Sequence, residues 1–232
     1  QQADITAAVL DNQAGQILAD NLVIKSVELS NTAGSIQGSS QLDLTSTLLR
    51  NLEGVIASDR LNLSSEQLDN EAGQLLAGTA LSLHAQQLNN SRGIIAAVGK
   101  VTIDASTVIN ADAAFIAAAE VELDATSLTN INQARIEGQQ LTLNTDTLDN
   151  SGILLATGSQ GETLRLNTRL LNNQGRIESH GDQFTLQNLQ LNNQQGQIYH
   201  LGTGVLQLDY LGELNNEQGQ IYAESALRIN GA

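Results

Sequence analysis

Apolar residues recur along this chain in short alternations separated by a polar turn, and the combination repeats about every twenty residues from end to end. The clearest copy, Leu68 to Leu83, reads LDNEAGQLLAGTALSL. An aliphatic residue stands two places before an asparagine, a glycine and a second aliphatic follow, and an apolar-x-apolar triplet closes the copy. Leu22 with Ile24, Leu61 with Leu63 and Phe184 with Leu186 are such triplets. Period two is the strand signature, because the flanking residues of each triplet point to one side. No stretch carries a helical period long enough for a helix, so the chain is expected to be all-β.

The asparagine sets the register. It falls at Asn12, Asn31, Asn51, Asn70, Asn90, Asn110, Asn130, Asn150, Asn172, Asn193 and Asn216, spaced 19 or 20 residues apart up to Asn150 and then 22, 21 and 23. In the ninth copy Leu170 takes the preceding aliphatic place, although Asn173 fits that copy nearly as well as Asn172. A period of this size belongs to short solenoid repeats. Three short strands per copy, separated by corners, predict a right-handed parallel β-helix of about eleven coils, with residues 1–232 forming a single solenoid. At about 4.8 Å per coil, the rod is on the order of 50 Å long. Leucine-rich repeats fit worse, since the N-x-x-G-x-I portion is too short for their returning segment. The left-handed β-helix fits worse because the drifting period is not a multiple of its hexapeptide.

The eleven asparagines are expected to stack as a buried structural ladder, each amide satisfied by its neighbours. The glycine that follows suits a corner needing positive φ or close backbone approach. Two residues beyond the second aliphatic the chain is small, from Ala19 and Gly38 to Ser179 and Ala223, and only His200 breaks the series. Residues at the centre of each triplet face out. No two neighbouring coils place like charges there, as stacked strands require.

Charge narrows the partners. A formal net charge of -15, with only ten Lys and Arg scattered along the chain, disfavours nucleic acid and anionic membranes. No apolar run is long enough to insert in a bilayer. The absence of methionine suggests an internal or processed fragment of a longer filament, with both ends in mid-solenoid. Zero cysteines removes disulfides, zinc clusters and thiol chemistry.

The repeated L-x-N-x-x-G-x-I-x-A followed by L-x-L, as in LDNQAGQILA, LDNEAGQLLA and LNNEQGQIYA, resembles the filamentous haemagglutinin repeat. The resemblance covers essentially the whole chain. It implies a large exoprotein of two-partner secretion, exported through an outer-membrane transporter and folding at the bacterial cell surface or beyond it as a right-handed β-helical filament. Adhesins and contact-dependent growth inhibition effectors share that architecture. In the toxin branch such repeats project from the cell while receptor binding and toxicity lie elsewhere. The expected role is a non-enzymatic filament segment that holds a distal module away from the cell, with neighbouring coils, the transporter and a cell-surface receptor as partners.

Right-handed β-helices also carry polysaccharide lyases and hydrolases, which need clustered carboxylates. Glu137 and Glu178 take equivalent outward places, but Leu155 stands between them, leaving about 10 Å across two coils. No catalytic, cofactor or metal site is therefore assigned. His84 lies apart, and His180 and His200 sit at different offsets from their anchoring isoleucines. The candidate contact surface is in the last three coils, where Tyr199 and Tyr222 take equivalent outward places beside His200. The plainer reading is that the two tyrosines pair with each other across coils.

Overall fold

The computed structural model describes residues 2–231, which form β-strands and turns without a helix. Each strand hydrogen-bonds in parallel to the equivalent strand one coil later, so the whole fold is one right-handed solenoid of about twelve turns. The register follows the repeat. Ile17 lies opposite Ile36, Leu22 opposite Leu42 and Leu29 opposite Leu49, and the next coil repeats the pairing with Ile56, Leu61 and Leu68. The turn count exceeds the asparagine count because triplet strands stand on both sides of the first and last asparagine corners. Ala3 and Ile5 pair with Leu22 and Ile24 at one end, and Leu206 and Leu208 pair with Leu227 and Ile229 at the other.

In the regular coils the three sides of a turn are not separate strands. Single strands of 15 to 17 residues, such as Gln16–Ser30, Ser35–Arg50 and Phe115–Ile131, bend through two corners before breaking at the asparagine. The first corner is marked by a register shift, as between Ala19 and Asn21. Small residues let the chain bend there without losing its ladder. Beyond Asn150 the copies lengthen and the sides separate, giving Ile153–Ala156, Glu162–Asn173, Arg176–Ser179 and Gln183–Asn188.

Four aliphatic columns fill the interior. Leu42 and Leu44 come from one side of a coil and Leu49 and Ile56 from the next two; all are essentially inaccessible to solvent and recur coil after coil, as Leu141, Leu143, Leu148 and Leu154 do. Each fully buried side chain of this size contributes about 1.5–3 kcal/mol. Parallel sheets need both faces accounted for, and here one face is the shared core while the other meets water. Phe184 is the one aromatic residue among the largest fully buried side chains and replaces leucine in a triplet column.

The ninth copy corrects the sequence assignment. Leu171 and Asn173 point inward, whereas Leu170 and Asn172 do not. Asn173 pairs with Asn150 in the strand register, and Leu171 with Leu148. The physical reason is the path from the triplet. Five residues separate Leu166 from Leu171, as they separate Ile24 from Leu29 and Leu143 from Leu148, so Leu171 is the one that arrives on the inner face.

Candidate functional site

The longest organised polar feature is a file of amides inside the rod. Asn12 donates its Nδ2–H to the Oδ1 of Asn31, Asn31 to Asn51, and so on through Asn70, Asn90, Asn110, Asn130, Asn150, Asn173, Asn193 and Asn216, at 2.6–2.8 Å. Every link runs toward the later coil. Main-chain carbonyls take the remaining amide hydrogens, as Gly34 and Val55 do for Asn31. Aligned donors of this kind polarise one another in a dry interior. Asn172 has no place in the file. It is exposed and donates to Asp149 on the previous coil.

Corner geometry explains the glycine, and it differs from the expectation in one respect. The positive φ falls on the residue before the glycine, at Ala14, Ala33, Glu53, Ala72, Arg92, Gln195 and Gln218. Glycine is required by proximity instead. A Cβ on Gly73 would stand 1.9 Å from the Asn51 carbonyl oxygen and 2.7 Å from Asn70 Oδ1. The corners that carry alanine are one residue longer. Asp112 with Ala113, and Asn132 with Gln133, both adopt positive φ, and the following Ala114 and Ala134 fit their methyls into the buried interior. At Asn150 and Asn173 the corner is one residue shorter, and neither Ser151 nor Gln174 takes a positive φ.

On the surface, Tyr199 and Tyr222 lie in register on adjacent coils, edge to face with ring centroids 6.2 Å apart. The Arg176 guanidinium sits 5.1 Å from the Tyr199 ring centre, and the Tyr199 hydroxyl donates to Gln220. Tyr222 is half exposed. The pair thus partners itself, as aromatic residues on neighbouring strands do. His200 does not belong to this surface. Its side chain points into the core, completely buried, its ring 6.3 Å from Phe184 and in register with Ser179 and Ala223. The corner it was expected to break is instead filled by it, so it is withdrawn as a contact residue.

Acidic chemistry is dispersed. Leu155 pairs with both Glu137 and Glu178, and each carboxylate is engaged by an arginine of its own strand, Arg135 and Arg176. His180 bonds Glu178, and His84 bonds Asp104. Lys100 lies 2.7 Å from both Glu120 and Glu122, which hold its ammonium pKa above the usual lysine value. Among the described residues no three His, Cys, Asp or Glu side chains converge as a metal site. No helix is long and apolar enough to cross a membrane.

A family model described as haemagglutinin repeat matches residues 2–66, 50–119 and 82–162, which together span residues 2–162. No curated protein and no solved structure matches the chain.

Proposed function

The chain belongs to the haemagglutinin-repeat family, and from that footing we propose that it is a non-enzymatic shaft segment of a haemagglutinin-like exoprotein, holding a distal receptor-binding or toxic module away from the cell. Members of this repeat family are structural and adhesive, typically parts of secreted or cell-surface exoproteins. The observation that carries the reading is the unbroken file of ten amide links through the rod, reinforced by parallel backbone ladders on every side. Such a stack resists bending and register slip through nearest-neighbour interfaces. Export by two-partner secretion, as part of an adhesin or of a contact-dependent growth inhibition effector, belongs to this proposal.

The spacer role is tested by exchange. Replacing residues 2–231 in the full exoprotein with an unrelated β-helix of equal length should preserve adhesion or inhibition. Loss of function with normal surface display refutes it. Direct adhesion is the second reading, favoured by the half-exposed Tyr222. Purified rod should then bind intact cells saturably, and substituting both Tyr199 and Tyr222 by alanine should abolish that binding without changing the fold.

A further inference from the structure

His200 is an anomaly in a rod otherwise built from neutral side chains on the inside. The corresponding corner positions carry Ala77, Ala156, Ser179 and Ala223. Here an imidazole is inaccessible to solvent, and neither Nδ1 nor Nε2 has a hydrogen-bond partner. It packs on Phe184, a large buried residue of the preceding coil.

From this burial and packing we propose that His200 makes the coils around it an acid-labile section of the shaft, opening locally as the pH falls while the earlier coils stay folded. Among the described residues no carboxylate bonds either nitrogen of the His200 ring. Glu178 on the preceding coil is occupied by Arg176 and His180, and the Asp182 carboxylate accepts the Gly161 N–H. Asp209 is held by Asn230 and Gln207. On the following coil the Glu224 contact is its main-chain N–H donating to the His200 carbonyl, and Tyr199 and Tyr222 face outward against each other. His180 is the titratable neighbour whose charge acts on His200, and it opposes protonation.

The sign follows from burial. Desolvation is the largest influence and lowers the His200 pKa below its ordinary value of 6.5; the Ser179 backbone opposes the lowering, and His180 adds to it. The unfolded chain therefore binds the proton more readily than the folded one. Stability is full above about 6.5 and falls below it, with the opening equilibrium rising up to about tenfold per pH unit until the folded pKa is reached.

The test is thermal unfolding by circular dichroism between pH 7.5 and 5.0. The wild-type chain is compared with His200→Ala, which copies Ala223, and with His200→Gln, which keeps bulk without titrating. Hydrogen exchange corrected for intrinsic rates locates the opening. The wild type should lose melting temperature as pH falls below about 6.5, with exchange rising over residues 176–231 and not over 35–150. Both variants should lose that slope, whatever their absolute stability. An equal slope in all three proteins, or acid-induced exchange spread evenly along the rod, overturns the proposal.

Discussion

Two adjacent asparagines in one coil offer the sharpest test of the internal amide file, because composition and strand position are nearly identical and only the face differs. Asn173 accepts from Asn150 at 2.8 Å and donates to Asn193 at 2.7 Å. Replacing it by alanine leaves Asn193 Oδ1 without its donor and Asn150 Nδ2 with only the Gly152 and Arg176 carbonyls, each at 3.4 Å. Two buried groups lose good partners, at about 1–3 kcal/mol each. The expected cost of Asn173→Ala is therefore about 2–6 kcal/mol. Asn172 makes one exposed bond, to Asp149, so Asn172→Ala should stay within about 0.5 kcal/mol, as exposed positions usually do. Urea unfolding gives the two values, and hydrogen exchange around residues 148–198 detects opening confined to neighbouring coils, as expected in a one-dimensional stack. A loss of 2.8 kcal/mol would read as about a hundredfold faster exchange there. Equal effects of the two substitutions, or a larger effect at Asn172, would refute the reasoning.

Other substitutions probe the remaining parts. Gly73→Ala should lower stability by more than about 3 kcal/mol in urea melts, because its methyl would overlap the Asn51 carbonyl. Ala114→Gly in the longer corner, where alanine already fits, should cost only about 1 kcal/mol. Phe184→Ala should cost about 3–5 kcal/mol and loosen the coil that contains His200. Lys100→Ala removes contacts to Glu120 and Glu122 that are partly exposed, so its melting shift should correspond to less than about 1 kcal/mol and shrink further in high salt.

The architecture was legible because a solenoid prints the same constraints many times. Four aliphatic places per copy and one asparagine leave little choice of inward face, and pairing such as Leu61 with Leu81 follows directly. The failures came where a copy departs from the others. Leu170 and Asn172 look as suitable as Leu171 and Asn173 when distances are measured from the previous asparagine. Counting five residues on from Leu166 selects the right pair, since the triplet is the better ruler. The break that His200 makes in the small-residue corner series points to a surface residue. The strand register with Ser179 and Ala223 sends it inward all the same. The division of labour within the corner, positive φ on one residue and steric clearance on the next, was hidden because Ala14, Glu53, Arg92 and Gln218 share no side-chain property. The backbone is forced there by the bonds around it. The N–H of Ala14 reaches Thr32 on the next coil while that of Gly15 turns back to Asn12.

A rod of stacked coils is as strong as its weakest interface, since each coil contacts only its neighbours. From Asn12 to Asn130 the asparagine corners are four or five residues long and the strands run unbroken through both other corners in most coils, so the interfaces resemble one another. After Asn150 several departures coincide: two shorter asparagine corners, most sides broken into strands of two to six residues, and the unbonded His200 beside Phe184. Load or acid applied to the whole shaft would then open it in that section first. The amide file still crosses this region unbroken, because Asn173 rather than its neighbour Asn172 arrives on the inner face and links Asn150 to Asn193.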